Sequence, residues 1–567
     1  MNLSQAIAAM IKAYGAEYIF TLTGGPQDPL MELQLQHGVK CVLGRTERSA
    51  FAMGDAYARL TGKPTFGMAQ YGCGTAFLPI SLIDAFWAHS PLIAINSATD
   101  SNTKYKYEYQ EMEQTPMFTS CTKFQADLPA PDRIADVMRT AIRAATGGMP
   151  GPAYLSIPSD WYGKEVSDKA EIYAEPGSMT VASIRSAPLP ADLERVAKAL
   201  AGAERPVLLV GGGILMSSAW TELTALAEAL DIPVVTTISG KGAIAENHPL
   251  AAGVCGRYSR KVSNDVLAES DFVVVVGSRL GAMGTDTFKF PKPGVRIAHI
   301  DVEPMNLGRS YREEISICAD AKVALAGLSE AARAAGLAKK PARWATWTKK
   351  VQKAVAEWRL AWREQTGKPV VAGRLNPFYV LSEINDYLTG DDIVVADTGY
   401  MAAWSGTLLE HKAAGRVSLR AAGSLGWAFP AGLGAQLAAP KKRVFTLMGD
   451  GGMGYHLADL ETALRLKTNV TTIVLNNAAF GFSYDVQRYL HPGNQRLPDA
   501  TDFLDMDFAG IARAFGAHGE TVRAPGELQA ALRRAEESGL PSLIDVKSSK
   551  EVTPPVGRYA AAGGRVL

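Results

Sequence analysis

The chain has 567 residues, of which 47% are hydrophobic and 20% are charged, and its formal net charge is +1. This length predicts about three domains. A nearly neutral charge gives no basic field for nucleic acid or for an anionic membrane, so we expect neither as a partner. Five scattered cysteines without a CxxC pair indicate a reducing compartment, and the absence of a long apolar run or signal peptide predicts a cytoplasmic protein without a membrane span.

Residues 1–165 alternate strand and helix patterns. A helix is predicted from about Thr46 to Leu60. The predicted strands are Tyr18 to Leu22, Cys41 to Leu43, Phe66 to Gln70, Leu92 to Ile95 and Ala153 to Ile157. Such alternation predicts an α/β fold with a doubly wound parallel sheet, whose functional groups lie at the carboxyl ends of the strands.

After a polar linker at 166–188, residues 189–340 repeat this alternation as a second, Rossmann-like domain. Its predicted strands are Val207 to Val210, Val234 to Val235, Phe272 to Val276 and Arg296 to Ile300. The first strand leads into three glycines, which open a helix ending near Leu230. GGG differs from the GxGxxG pattern, so it could equally be a tight turn or part of a nucleotide site. The candidate nucleotide residues are Gly211, Gly212, Gly213, Thr236, Arg279 and Asp301.

The segment 341–372 is charged and helical, and its tryptophans at near-helical spacing predict packing. Those tryptophans are Trp344, Trp347, Trp358 and Trp362. A third doubly wound domain is predicted at 373–548, where the strand from Ile393 to Ala396 runs into Asp397-Thr398-Gly399-Tyr400. The tail, 549–567, has no core pattern and could be disordered or fold over an active site.

The third domain contains a strand–loop–helix–strand unit at 444–480. Both strands end in oxygen-bearing side chains, namely Asp450 and Asn477, and parallel strands bring such ends to one edge of a sheet. Mg²⁺ prefers oxygen ligands, so we predict a metal site from the Asp450 carboxylate, the Asn477 amide oxygen and a backbone carbonyl near Ala479. Glycines on either side of Asp450 would let a diphosphate approach bare backbone amides. They are Gly449, Gly451 and Gly452.

Gly449-Asp450-Gly451, followed after 25 residues by Asn477, resembles the metal and diphosphate motif of thiamine diphosphate enzymes. Residues 45–62, RTERSAFAMGDAYARLTG, resemble the segment with which that family activates its cofactor. Residues 207–213 and 231–242 resemble the central domain of the acetolactate synthase branch. The resemblance implies three parallel-sheet domains, which are pyrimidine-binding, central Rossmann-like and diphosphate-binding. It also implies chemistry at a carbon–carbon bond next to a carbonyl group.

The same resemblance implies roles for individual residues. By position alone, Glu47 could be a first-turn glutamate stabilised by the helix dipole, but the resemblance makes it the catalytic acid that activates the cofactor. Leu425 would separate the two cofactor rings, the Gly423 carbonyl would face the pyrimidine amino group, and Tyr400 would also contact the cofactor. The implied assembly is a homodimer or a dimer of dimers, with active sites at the subunit interface.

Several positions depart from an ordinary biosynthetic acetolactate synthase. Thr46 stands where many relatives carry His or Asn, and Val486 stands where acetolactate synthases carry a tryptophan. The stretches 85–91 and 109–124 resemble sulfoacetaldehyde acetyltransferase locally. For the small carbonyl substrate we predict Gln114 and Tyr484 as the best contacts. Other polar groups expected near the pocket are Tyr71, Cys73 and His89.

Three alternatives stay open at this stage. A 2-hydroxyacyl-CoA lyase or oxalyl-CoA decarboxylase would bind ADP or CoA through the central domain. FAD would occupy that domain in a synthase, and Arg279 matches an arginine of the flavin pattern, although a second arginine is missing at Gly281 to Met283. The enzyme could also be a cyclic 1,2-dione hydrolase. A non-catalytic partner protein is the third alternative, which the intact Glu47, Asp450 and Asn477 oppose.

Overall fold

The computed structural model describes residues 1–24, 28–167, 170–339, 342–491, 493 and 495–556. It divides into two compact units. Unit 1 consists of Met1–Ile184, Ala421–Val444 and Gly454–Val470, and unit 2 consists of Arg185–Arg420, Phe445–Met453 and Thr471–Leu567. Residues 557–567 of the predicted tail lie outside the described residues. The domain boundaries expected from the sequence stay predictions.

Unit 1 is built on a six-stranded sheet with the order β2-β1-β3-β4-β6-β5. Its strands are β1 (Tyr18–Leu22), β2 (Lys40–Leu43), β3 (Thr65–Ala69), β4 (Leu92–Ala98), β5 (Phe124–Asp127) and β6 (Ala153–Pro158). Neighbouring strands pair in parallel throughout. The helices of this unit are α1 (Leu3–Ala13), α2 (Asp28–His37), α3 (Glu47–Thr61), α4 (Cys73–Ala76), α5 (Pro79–Ala88) and α6 (Ile134–Thr146).

Unit 2 contains a second six-stranded sheet with the order β12-β11-β10-β7-β8-β9. Its strands are β7 (Pro206–Val210), β8 (Val234–Thr236), β9 (Ala251–Val254), β10 (Phe272–Val276), β11 (Arg296–Asp301) and β12 (Ile315–Cys318). All pairings in this sheet are parallel. Its helices are α7 (Pro190–Ala201), α8 (Gly213–Met216), α9 (Trp220–Leu230), α10 (Lys261–Glu269) and α11 (Ala321–Ala334).

The long helix α12 (Ala342–Glu364) follows the second sheet. Its four tryptophans are buried, with Trp344 and Trp362 almost fully enclosed. The indole N–H of Trp344 donates to the Ala203 carbonyl at 2.9 Å, and that of Trp347 donates to the Pro206 carbonyl at 3.1 Å. These contacts confirm the prediction that the tryptophans pack the core.

The third sheet has the order β16-β15-β17-β18-β20-β19. A short antiparallel hairpin, β13 (Val370–Val371) and β14 (Arg374–Leu375), precedes it. The strands of the third sheet are β15 (Ile393–Ala396), β16 (Ser418–Arg420), β17 (Val444–Gly449), β18 (Val470–Asn476), β19 (His518–Val522) and β20 (Ser542–Lys547). Its inner strands β15 and β18 are fully buried. The predicted α/β fold with three parallel-sheet domains is confirmed.

The remaining helices follow α12 in the chain. They are α13 (Pro377–Tyr387), α14 (Tyr400–Leu408), α15 (Ala428–Ala438), α16 (Asp450–Met453), α17 (Asp459–Leu466), α18 (Gly481–Leu490), α19 (Phe508–Phe515) and α20 (Glu527–Ser538). α15 and α17 belong to unit 1, where α15 packs on α3 so closely that a Cβ at Gly434 would clash with the Met53 carbonyl. Within the described ranges, no helix is both long and apolar enough to cross a membrane.

Candidate active site

Asp450 follows directly after β17 and begins the short helix α16. It is 6% exposed, and its Oδ2 atom has no hydrogen-bond partner among the described residues. Burial raises the pKa of this carboxyl to about 6, and the backbone N–H groups of Gly451, Ala479 and Asn477 oppose that rise. A buried carboxylate oxygen without a partner is costly, so this atom is suited to bind a cation.

Asn477 and Ala479 follow β18, the strand next to β17. The amide oxygen of Asn477 accepts the Ala479 N–H at 3.0 Å, and Ala478 between them adopts a left-handed backbone with φ 57°. The structure thus brings the three predicted metal ligands to one edge of the third sheet. No group of three or more His, Cys, Asp or Glu suited to a metal occurs in the described part of the chain. A cation here would therefore depend on amide, carbonyl and ligand oxygens, as Mg²⁺ commonly does.

The predicted diphosphate glycines have different surroundings. A Cβ at Gly451 would lie 2.6 Å from the Phe480 ring, and one at Gly452 would clash with the Asp397 carboxylate. Both positions therefore require glycine for packing. At Gly449 no other atom lies within 4 Å of such a Cβ. Gly449 consequently leaves open space beside Asp450, as a bound group would require.

Tyr400 begins α14 and lies beside this edge. A Cβ at Gly481 would be 2.6 Å from the Tyr400 ring and 3.2 Å from the Asn477 amide nitrogen. The Tyr400 hydroxyl donates to Oδ2 of Asp485, which is fully buried. Oδ1 of Asp485 has no partner within the described residues, and burial raises the pKa of its carboxyl to about 7. No motif in the sequence around Asp485 points to this acid.

Tyr484, a predicted substrate contact, is 3% exposed. Its hydroxyl donates to Glu551 at 2.5 Å, and the Arg496 guanidinium lies 4.1 Å from the ring centroid. Burial, with Glu551 adding to it, raises the pKa of this hydroxyl to about 12. The side chain is therefore held by protein groups, and its contact with substrate stays a prediction.

Glu47 occupies the first position of α3 in unit 1. The helix begins here because the Thr46 hydroxyl accepts the Ser49 N–H at 3.0 Å, which caps the N-terminus. Glu47 is 9% exposed, and burial raises the pKa of its carboxyl against the opposing effect of its own backbone N–H. A Cβ at Gly74 would lie only 2.9 Å from Oε1 of Glu47. The predicted acid is thus shielded from water and covered by a glycine.

Gly423 and Leu425 also belong to unit 1, close to α3. The guanidinium of Arg48, the residue after Glu47, donates to the Leu425 carbonyl. The Gly423 N–H donates to Oδ1 of Asp84 at 2.8 Å, and no other atom lies within 4 Å of a Cβ placed on Gly423. The structure therefore brings Glu47 and the predicted pyrimidine contacts together within one unit.

Gln114 anchors the loop that precedes Gly74. Its amide oxygen accepts the Gly72 N–H at 2.7 Å, and its amide nitrogen donates to the Ser97 carbonyl at 2.9 Å. Both ends of the side chain are thus engaged with backbone, and the residue is 4% exposed. This geometry gives Gln114 a clear role in shaping the loop, while substrate contact stays a prediction.

The other predicted pocket groups are Tyr71, Cys73 and His89. Tyr71 lies just before α4, and Cys73 is the first residue of α4, next to Gly74. Cys73 is exposed, and burial raises the pKa of the Tyr71 hydroxyl. His89 caps the far end of α5 with a left-handed backbone, φ 59°. Contact of His89 with substrate stays a prediction.

The predicted nucleotide residues surround the carboxyl ends of β7 and β10. A Cβ at Gly211 would clash with the Gly277 carbonyl, and one at Gly213 would lie 2.6 Å from the Gly277 Cα. A Cβ at Gly212 would lie 3.2 Å from the Ser239 carbonyl oxygen. The glycines therefore have a packing reason, which favours the tight-turn interpretation.

The polar members of this set are buried as well. Thr236 is buried in β8, and Asp301 accepts the Glu303 N–H at 2.9 Å and the Asn306 amide at 3.1 Å. Burial lowers the pKa of Arg279, and Asp301 opposes that change. Asp301 and Arg279 thus face a common region, but nucleotide binding there stays a prediction.

Comparison with known proteins places the whole chain among relatives of one kind. Three domain models match: the thiamine pyrophosphate enzyme N-terminal TPP binding domain at residues 1–117, the central domain at 193–328 and the C-terminal TPP binding domain at 397–546. A probable acetolactate synthase large subunit of Methanocaldococcus jannaschii is 28% identical over 98% of this chain and 94% of its own. A sulfoacetaldehyde acetyltransferase of Castellaniella defragrans is 28% identical over 99% and 95%. The acetolactate synthase isozyme 2 large subunit of Escherichia coli is 26% identical over 96% and 95%.

Proposed function

Since the chain belongs to the thiamine pyrophosphate enzymes, in their acetolactate synthase-like branch, we propose that it uses thiamine diphosphate and Mg²⁺ to make or cleave a carbon–carbon bond next to a carbonyl group. The observation that carries the proposal is the Oδ2 atom of Asp450, which is buried without a partner among the described residues. It lies beside the open space at Gly449 and the oxygen-bearing turn at Asn477.

The residues present fit the proposed cofactor. Asp450, the Asn477 amide oxygen and the Ala479 carbonyl would hold Mg²⁺, and the amides around Gly449 would face the diphosphate. Bound thiamine diphosphate supplies an electron sink for the carbon that carries the reacting carbonyl. The protein must bind the cofactor, exclude water and hold a proton.

Glu47 would hold that proton. Its shielded carboxyl has a raised pKa, so it can share a proton with a ring nitrogen of the cofactor's pyrimidine. The Gly423 carbonyl would accept a hydrogen bond from the pyrimidine amino group, and Leu425 would hold the two rings apart. Arg48, the residue after Glu47, supports this arrangement because its guanidinium donates to the Leu425 carbonyl.

We propose a small 2-keto acid or a related carbonyl compound as the substrate. We propose that the second sheet, β7–β12, carries no flavin for this activity, because Gly211 and Gly213 pack against Gly277 and a Cβ at Gly212 would lie 3.2 Å from the Ser239 carbonyl oxygen. An absorbance spectrum of the purified protein tests this part of the proposal, because a bound flavin absorbs near ~450 nm.

We also propose a homodimer, or a dimer of dimers, with active sites at subunit interfaces. One face of α5 supports an oligomer because it presents Ile80, Ile83 and Trp87, which are 43%, 42% and 52% exposed. Apolar groups at such spacing lie on one side of a helix. Sedimentation velocity of the wild-type protein would give the assembly, and a monomer at micromolar concentration would contradict this part.

The central experiment compares wild type with Glu47→Gln. Isothermal titration with thiamine diphosphate and Mg²⁺ should give similar dissociation constants, while turnover of 2-keto acids, followed by release of carbon dioxide or by acyl transfer, should fall roughly 10²–10⁴-fold, as for loss of an acid–base group. Glu194→Gln, at an exposed position of α7, is the control. Failure of the wild type to bind thiamine diphosphate would overturn the proposed function, and normal turnover of Glu47→Gln would overturn the role of Glu47.

A further inference from the structure

Asp84 is a buried carboxylate that the mechanism above does not use. It lies in α5, is 2% exposed and leaves its Oδ2 atom without a hydrogen-bond partner among the described residues. Its Oδ1 atom accepts the Gly423 N–H at 2.8 Å and, more weakly, the Ser424 N–H at 3.5 Å. A charged group in this position costs stability, so its retention calls for a physical reason.

The segment that Asp84 binds is fixed at three successive residues. Asp84 accepts the N–H of Gly423, the Ser424 hydroxyl donates to the Ile80 carbonyl at 3.0 Å, and Arg48 donates to the Leu425 carbonyl. Two of these links run to α5 and one runs to α3. Hydrogen bonds to α3 and α5 therefore hold this segment in place. In the chain, Gly74, which lies against Glu47, falls between these two helices.

Asp84 forms no ion pair of its own with the described residues. The nearby Arg59 guanidinium is already paired with Asp55, at 2.9 Å between Nε and Oδ1, and the Trp427 indole also donates to Asp55 at 3.1 Å. Two buried carboxylates thus share one guanidinium. Burial raises the pKa of Asp84 to about 6; Arg59 and the N–H groups of Gly423 and Ser424 oppose the rise, and Asp55 adds to it.

We infer that Asp84 is a positioning residue that holds the Gly423–Leu425 segment and polarises its peptide groups, so that the Gly423 carbonyl is a stronger and better-placed acceptor for the cofactor. The Gly423 carbonyl and the Ser424 N–H belong to one peptide group. A carboxylate at that N–H draws electron density towards the carbonyl oxygen, as in any chain of hydrogen bonds. The inference rests on the proposed function, which assigns this segment to thiamine diphosphate.

Asparagine separates charge from shape at this position. Asp84→Asn keeps an oxygen that can accept from Gly423 but removes the negative charge. We expect its dissociation constant for thiamine diphosphate, measured by titration calorimetry with saturating Mg²⁺, to be about tenfold above that of wild type at pH 8. At pH 5, where Asp84 is protonated in the wild type, the two constants should converge. A structural role alone would leave their ratio independent of pH. Asp136→Asn, at an exposed position of α6, is the control.

Hydrogen–deuterium exchange of the cofactor-free wild type gives a second readout. This measurement does not require the Asp84→Asn variant to fold. Protection of the peptide covering residues 421–427, corrected for intrinsic exchange, should fall between pH 8 and pH 5. If wild type does not bind thiamine diphosphate, the proposed function fails and this inference fails with it. If wild type binds and Asp84→Asn binds equally well at pH 8, or if protection of 421–427 is unchanged with pH, only the inference is wrong.

Discussion

Gly74 shows how the absence of one side chain can control an acid. Glu47 has a raised pKa because it is buried, and part of that burial comes from the first turn of α4, which contains Gly74. Only a hydrogen atom fits between this backbone and the Glu47 carboxylate. The loop before α4 is in turn held by Gln114 through the Gly72 N–H. The position of the acid therefore depends on residues that carry no chemistry themselves.

We predict that Gly74→Ala lowers turnover by about 10–100-fold, because a Cβ at 2.9 Å from Oε1 would displace the carboxylate by a fraction of an ångström. Thiamine diphosphate affinity should stay within about threefold of wild type, since the residues proposed to hold the diphosphate belong to unit 2 and Gly74 belongs to unit 1. Gly163→Ala is the matched control because no other atom lies within 4 Å of its Cβ. Equal turnover in both variants would show that α4 yields without moving Glu47.

Asp450 is the residue on which metal binding should depend. We predict that Asp450→Ala weakens Mg²⁺-dependent binding of thiamine diphosphate by at least about 100-fold, because it removes the only carboxylate of the proposed site. Asp499→Ala, at an exposed position of unit 2, should bind normally. Calorimetry with and without a chelator checks this, and an unchanged dissociation constant would refute the metal site.

Several buried acids could not be predicted from the sequence. Asp450 and Asn477 have a local signal, since each follows an apolar strand at a matching edge. Asp84 and Asp485 lie inside helices, and a helical aspartate on its own gives no sign of burial. Their partners, Gly423 and Tyr400, are distant in sequence. These contacts are decided by tertiary packing, which spacing does not encode.

At the scale of elements, most apolar strands were predicted, whereas the edge strands β5, β9, β12, β16 and β19 and the inner strand β20 were missed. β10 and β15 have the expected bounds because each is a continuous apolar run. β12 alternates buried and exposed residues over four positions, which is too short for a clear period. β20 is fully buried, but Asp545 and Lys547 interrupt its apolar pattern, and they pair with each other at 2.9 Å.

A second set of buried charges joins elements of unit 2. Glu246 accepts from Lys241 at 2.6 and 2.8 Å and from Arg260 at 2.9 Å, and all three are nearly or fully buried. Lys241 and Arg260 also donate to the Leu409 carbonyl, just after α14. This network therefore fixes the end of α14, the helix that Tyr400 begins, against the middle sheet.

We predict that Glu246→Gln lowers the stability of unit 2 by roughly 3–5 kcal/mol, because it leaves two buried cations without their shared anion. Differential scanning calorimetry should show a lower transition temperature. Glu228→Gln is the control, since Glu228 is exposed and pairs with His248 at 3.1 Å. Equal transition temperatures for the two variants would mean that the network contributes nothing net.

At the scale of the whole molecule, Asp485 links stability to pH. The pKa of its carboxyl is raised from 3.8 to about 7, so the folded protein holds this proton more tightly than the unfolded chain does. Its contribution is therefore complete below about pH 4 and is lost as pH rises through about 7.

We predict that wild type loses roughly 2–3 kcal/mol between pH 5 and pH 8 relative to Asp485→Asn, as expected for a shift of about three pKa units. Both proteins contain every other titrating group, so the contributions of those groups to the pH dependence cancel in the comparison. Thermal unfolding followed by circular dichroism at the two pH values checks it. Parallel pH profiles would show that Asp485 does not titrate in this range.

Unit 1 is assembled from three separate stretches of chain, and this imposes an order in time during synthesis. The sheet and α3 are complete in sequence by Ile184, but α15, which covers α3, begins only at Ala428, that is 428 − 184 = 244 residues later. At a typical elongation rate, the ribosome needs roughly 12–50 s to make that stretch. During this interval the face of α3 that includes Asp55 lacks its partner Trp427. A nascent chain must therefore shield this face, by a chaperone or a temporary contact, until α15 has been made.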